Sequence, residues 1–113
     1  MKRTEKGTPA PSREEIISIL KKEMPYLKER YGVERIVLYG SFAKGNPKKS
    51  SDVDILVDIK RPIGLEFVAL ADVLEDKLGR KVDIATLAHY KRSFGNPRYK
   101  HIAEDIRKSM IYV

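Results

Sequence analysis

Cysteine is absent from the 113-residue chain, which removes disulfides and thiolate metal sites and leaves the sequence compatible with a reducing cytosol. Long apolar runs are absent too: no stretch approaches the roughly 20 residues of a membrane-spanning helix, so no membrane association is expected. The opening MKRTEKGTPAP carries positive charge but no apolar core and does not read as a secretory signal. Residues 1–11 are therefore expected to be a flexible leader, and the cytoplasm the protein's location. No internal repeat, Walker A loop, GxGxxG turn, HExxH pair or Ser/His/Asp constellation is present. P-loop ATPases, Rossmann oxidoreductases, zinc proteases and serine hydrolases thus lack their usual support.

What remains is short and strongly charged. The length suits one domain, residues 12–113, without a separate substrate-binding domain of ordinary size. Any large acceptor must then be recruited by other means, such as a partner protein. Charged residues make up 35% of the chain and the formal net charge is +7, a balance that suits nucleic acid, ATP or an acidic partner alike. Aromatic residues interleave only weakly with basic ones, so nucleic-acid binding is not favoured. His89 and His101 have no ligand-spaced companion and read as surface or packing residues.

Ser12 and Glu15 form a capping-box pattern that starts a helix, with Ile16, Leu20, Met24, Leu27 and Tyr31 at helical spacing and Gly32 as its end. Pro25 is expected to kink or interrupt it. Glu34 to Tyr39 reads as a strand with apolar residues on both faces, as in a sheet covered on both sides. After a short helix at Phe42 to Lys44, residues 45–51 read as a loop. A second strand from Asp52 ends at Arg61-Pro62. Gly64 to Leu78 reads as a helix with Phe67, Val68, Ala71, Leu74 and Leu78 in its core stripe and Gly79 as C-cap. A third strand spans Lys81 to Thr86, and Leu87 to Gly95 looks irregular. Asn96 and Pro97 suggest the N-cap and first turn of a last helix, with Ile102, Ile106 and Met110 aligned. Ile111 to Val113 can add a terminal strand. The expected fold class is α/β (α+β), a small mixed sheet of three or four strands flanked by helices.

The chemistry concentrates in YGSFAKGNPKKSSDVDILVD, residues 39–58. Gly40-Ser41 follows an apolar strand and opens a helix, a turn whose outward N–H groups, with the Ser41 hydroxyl, can hold phosphate oxygens. In the strand beyond, alternation sends Val53, Ile55, Val57 and Ile59 to the core and Asp52, Asp54, Leu56 and Asp58 to the other face. Asp52 and Asp54 then lie about 6.6 Å apart at their α-carbons, close enough to share an ion. Two such charges repel by roughly 2.4 kcal/mol at an effective dielectric near 20, which a divalent cation would turn into attraction. Asp83 joins them if its strand is a neighbour.

GS, ten intervening residues, DVD and a later VDIAT together resemble the nucleotidyltransferase superfamily typified by DNA polymerase beta. At this length the chain is most similar to the minimal nucleotidyltransferases, small prokaryotic proteins often paired as antitoxins with HEPN-type toxins. The resemblance implies a polymerase-beta-like fold and a Mg²⁺-dependent transfer of AMP from ATP to a hydroxyl, with a tyrosine of the HEPN partner as acceptor. Asp52, Asp54 and Asp83 would be the catalytic and metal-binding carboxylates for one or two ions. Gly40, Ser41, Lys44 and Ser51 would meet the nucleotide. Lys44 stands where many relatives carry arginine, so it would act as a point charge without the bidentate fork. The competing possibility is a non-catalytic antitoxin that blocks a partner ribonuclease by occlusion.

Overall fold

Ser12 accepts the Glu15 N–H at 3.0 Å while the Glu15 carboxylate takes the Ser12 N–H at 2.7 Å, so the capping box closes and α1 (Arg13–Tyr31) begins. The computed structural model describes residues 11–48, 50–60 and 63–113. The leader, except Pro11, lies outside the described residues, as do Lys49 and the strand stop at Arg61-Pro62. Helix α1 runs through Pro25 without interruption. The carbonyl that loses its partner there belongs to Lys21, which with Pro25 faces water, so solvent can satisfy it. Gly32, at a φ of 74°, ends the helix in the left-handed conformation.

β1 (Val33–Tyr39) leads into the short α2 (Gly40–Lys44), and β2 (Val53–Ile59) returns antiparallel to β1. α3 (Glu66–Leu78) crosses over to β3 (Val82–Thr86), which lies parallel to β2, as a helix-bridged connection requires. α4 (Leu87–Ser93) and α5 (Lys100–Ser109) follow, and β4 (Ile111–Tyr112) pairs antiparallel with β1. The sheet order is β3-β2-β1-β4, and helices cover both of its faces.

On one face α1, α2 and α3 bury Ile16, Leu20, Leu27, Phe42, Leu70 and Leu74 against Ile36, Leu38, Val53, Ile55 and Val57. On the other, Leu87 and Tyr90 of α4 and Ala103 of α5 close over Val37 and Leu56. The alternation expected for β1 and β2 is thus obeyed: successive residues feed opposite cores.

Besides the path of α1 through Pro25, four expectations need correction. Residues 87–93 are helical, because the Thr86 hydroxyl accepts the His89 N–H at 3.1 Å and caps α4. Asn96 does not cap the last helix; its side chain accepts from the Arg98 N–H at 3.0 Å in a local turn, and α5 starts at Lys100. Val68 lies outside the core at 59% exposure; the stripe of α3 is completed by Leu70. Ile102 likewise stays on the surface while Ala103 is buried.

Candidate active site

The strand alternation decides which acids meet. Asp54 and Asp83 are register partners across the parallel β2–β3 pair, so their carboxylates leave the sheet side by side on the α4–α5 face. Asp52 is exposed just before β2 starts. Among the described residues no lysine or arginine forms an ion pair with any of the three. Asp58 makes the contrast: four residues further along the same face, it is held by Arg35 at 3.1 Å.

This concentration of charge is felt most at Asp54, which is half-buried. Burial first, then the Asp83 and Asp52 carboxylates, push its acid up to about 6. Tyr39, its partner across the β1–β2 pair, responds in the same sense: burial, then Asp54 and Asp83, push the phenol up to about 12. Tyr39 was recognisable in the sequence as a strand residue, but only the register shows that its ring shares the acidic site.

Gly40 closes one wall. It has a φ of 77°, and a side chain built on it would overlap the Asp54 carboxylate, so glycine serves both the turn and the close approach. Its N–H is not left for a ligand, as the sequence had suggested, because it donates to Ser109 Oγ at 3.0 Å, and that hydroxyl in turn donates to the Ile106 carbonyl at 3.2 Å. Ser41 is half-buried in the first turn of α2. The N–H groups of Ser41 and Phe42 have no partner within the helix, and Tyr39 at the N-cap supplies no side-chain bond. Lys44 is exposed at the other end of α2.

Three further residues brace the site from a distance. The Arg80 guanidinium lies 5.4 Å from the Phe42 ring centroid and donates to the Ser51 carbonyl at 3.0 Å, joining α2 to the end of the loop. Ser51 Oγ accepts the Lys48 N–H at 2.8 Å and so folds the loop back on itself. Arg13 donates to the Ala43 carbonyl at 3.0 Å near the C-terminal end of α2. Neither Arg80 nor Ser109 carries a local sequence signal, since each acts on a partner 29 and 69 residues away.

Among the described residues, no group of three or more acidic, histidine or cysteine side chains stands ready to hold a metal ion. The carboxylates therefore do not form a closed cage. They do suit Mg²⁺, which is usually bound by one or two carboxylates with substrate phosphates completing the shell. A carboxylate raised by burial and then by two like charges, which among the described residues forms no ion pair with a lysine or arginine, is the donor environment that such an ion would relieve.

Comparison with known proteins identifies the family and the fold. The family model described as a nucleotidyltransferase domain matches residues 17–113. MJ1217 of Methanocaldococcus jannaschii, provisionally named a protein adenylyltransferase, is 40% identical over 100 residues, covering 88% of this chain and 95% of the relative. The protein adenylyltransferase MntA of Thermococcus cleftensis is 39% identical over 101 residues, covering 88% of this chain and 94% of MntA. A solved structure provisionally described as a minimal nucleotidyltransferase superposes with a TM-score of 0.64 at 27% identity, covering 89% of this chain and 95% of its own. A toxin-antitoxin MntA-HpeT mutant shares the fold at a TM-score of 0.57 and 18% identity, over 90% of this chain and 72% of that one. With its serine-bearing turn, paired strand carboxylates and four-stranded mixed sheet, the chain belongs to the nucleotidyltransferase domain family and has the fold of its minimal members.

Proposed function

We propose that this protein is a Mg²⁺-dependent protein adenylyltransferase that moves AMP from ATP onto a tyrosine hydroxyl of a HEPN-type toxin, and so acts as its antitoxin. The observation that carries this reading is the Asp54–Asp83 pair, side by side on adjacent strands and, among the described residues, without an ion pair to any lysine or arginine. Such a pair costs stability unless a cation and phosphates arrive to use it.

In the reaction the acceptor oxygen attacks the α-phosphorus, a new P–O bond forms, and the bond to pyrophosphate breaks. Asp83 accepts the proton of the attacking hydroxyl. Asp52 and Asp54 would hold Mg²⁺, with Asp83 completing a shell; when bound, the ion would neutralise phosphate charge and help align the leaving group. Ser41 presents its hydroxyl and N–H to the outer phosphates. Gly40 contributes by letting that turn lie against Asp54. Lys44 meets phosphate as an exposed point charge, and Ser51 helps bind nucleotide by shaping the loop that covers it.

The relatives' names support the activity, and the MntA-HpeT neighbour the pairing with a toxin. The test is to mix this protein with the protein encoded beside it, labelled ATP and Mg²⁺, and to locate the label by mass spectrometry. Label on a partner tyrosine is expected, with Asp54→Asn lowering transfer by on the order of 10³-fold or more. Undiminished transfer by Asp54→Asn would reject the assignment. Neutralisation that persists in that variant after transfer is lost would favour occlusion instead.

A further inference from the structure

We propose that the groove between α4 and α5 is where the acceptor protein docks, and that the hydroxyl to be modified lies in an acidic segment of that protein. The inference rests on the carboxylate site being the AMP-transferring centre, and adds the surface and the substrate class.

The groove and the carboxylates share one face of the sheet. Asp54 and Leu56 of β2 point the same way, as do Asp83 and Ala85 of β3, and α4 and α5 pack over Leu56 and Ala85. Between these helices lies a groove of about 280 Å³. Tyr90 and Ala103 form its buried floor, and Tyr99 and Ile102 stand at its lip, 45% and 49% exposed. The groove also leads towards the site. α5 has ten residues, about 15 Å of helix, and its last residue, Ser109, takes the N–H of the glycine that abuts Asp54. A segment lying along α5 is thereby directed at the carboxylates.

Charge selects the partner. Residues 87–109 carry six basic side chains (Lys91, Arg92, Arg98, Lys100, Arg107 and Lys108) against two acidic ones (Glu104 and Asp105), a net +4. All six are exposed, and among the described residues only Lys108 has an acidic neighbour, Asp105 at 3.9 Å. On the opposite face α3 carries four acids and one lysine over residues 66–78, a net −3. With α1 and α2, each a net +1, the three helices of that face come to a net −1, so among the described helices the positive charge is concentrated on the side that holds the carboxylates, where it offsets their repulsion towards an incoming acidic segment and steers its approach. An apolar floor with a Tyr99 and Ile102 lip fits side chains of a protein segment. Nucleic acid would call for a row of stacking aromatics instead, which is not found here.

Random Glu/Tyr and Lys/Tyr copolymers serve as probes that need no knowledge of the partner. With the full chain, binding of the fluorescent polymers and transfer of labelled AMP to them are measured separately, alongside Mg²⁺-dependent ATP binding. The Glu/Tyr polymer is expected to bind at least tenfold more tightly than the Lys/Tyr polymer and to be the better acceptor. Reversing Lys91, Arg92, Arg98 and Lys100 to glutamate should abolish that preference with ATP binding unchanged. Tyr99→Ser with Ile102→Ser should weaken binding at least threefold at constant charge. Reversal of Lys21, Lys22 and Lys28 on α1 should leave it within twofold.

Equal binding of the two polymers, or equal effects of the α1 and α4–α5 reversals, would overturn the proposal. So would single-stranded RNA binding more tightly than the acidic polymer through the same four residues. Selective acidic binding without any transfer would sink the catalytic reading and leave the docking surface standing.

Discussion

Fifteen buried apolar residues join α1, α2 and α3 to one face of the sheet, whereas five serve the α4–α5 side, counted among the described residues. The larger core runs from Leu27 and Tyr31 to Leu70 and Leu74, and its sheet residues include Ile36, Ile55 and Val57. The smaller one gives way at the start of β2 and β3 to Asp54 and Asp83. The sheet thus separates two tasks. One face supplies most of the burial that holds the domain together, and this permits the other to keep charges that repel each other.

The largest effect on stability is expected where the division is cleanest. Leu20 is fully buried in the larger core, so Leu20→Ala should cost about 2–5 kcal/mol in chemical denaturation. AMP transfer measured well below its melting temperature should be nearly unchanged. A comparable loss of transfer in the folded variant would break the separation of tasks.

Gly40→Ala comes next, at about 1–3 kcal/mol for a non-glycine residue held at left-handed φ. Here transfer should fall by more than the lost stability explains, because the added methyl overlaps the Asp54 carboxylate. Full activity in a folded Gly40→Ala protein would mean that Asp54 is not held where the reaction needs it.

A smaller and oppositely signed effect is expected from Asp54→Asn. The acid of Asp54 is raised from 3.8 to about 6, so the fold favours its neutral form. That contribution is fully present below pH 4 and disappears as pH rises through about 6. Metal-free Asp54→Asn should therefore be more stable than the parent at pH 8, by about 1 kcal/mol once solvent screening is allowed for, and equal to it at pH 3.5. Adding Mg²⁺ with ATP at pH 8 should close or reverse the gap. A parent already the more stable at pH 8 without metal would place a neutralising partner at this site. Smallest of all, Val68→Ser should shift stability by less than about 0.5 kcal/mol, since Val68 is exposed on α3.

Much of this was legible in the residues themselves. The capping box at Ser12 and the alternation of β1 and β2 are local patterns that the structure obeys, and the GS-to-DVD spacing is a local pattern that pointed to the family. What escaped depends on distance or on weak local signals. Residues 87–93 looked irregular because Thr86 was read as the end of a strand and not also as a cap. Val68 sits at helical spacing that fits a broad stripe, but the sheet accepts only the narrower line through Leu70 and Leu74. The engagement of Gly40 by Ser109, and of Ser51 by Arg80, could not be seen in a linear pattern. Only the packing of α5 and the turn after α3 brings those pairs together.

The link between Gly40 and Ser109 also sets an order on synthesis. At about 5–20 residues per second, a ribosome delivers the serine roughly 3–14 seconds after the glycine that it must meet. Until then the first strand lacks its β4 neighbour and the turn lacks its tether, so a nascent chain can bury the α1 side well before it can complete the turn at Gly40.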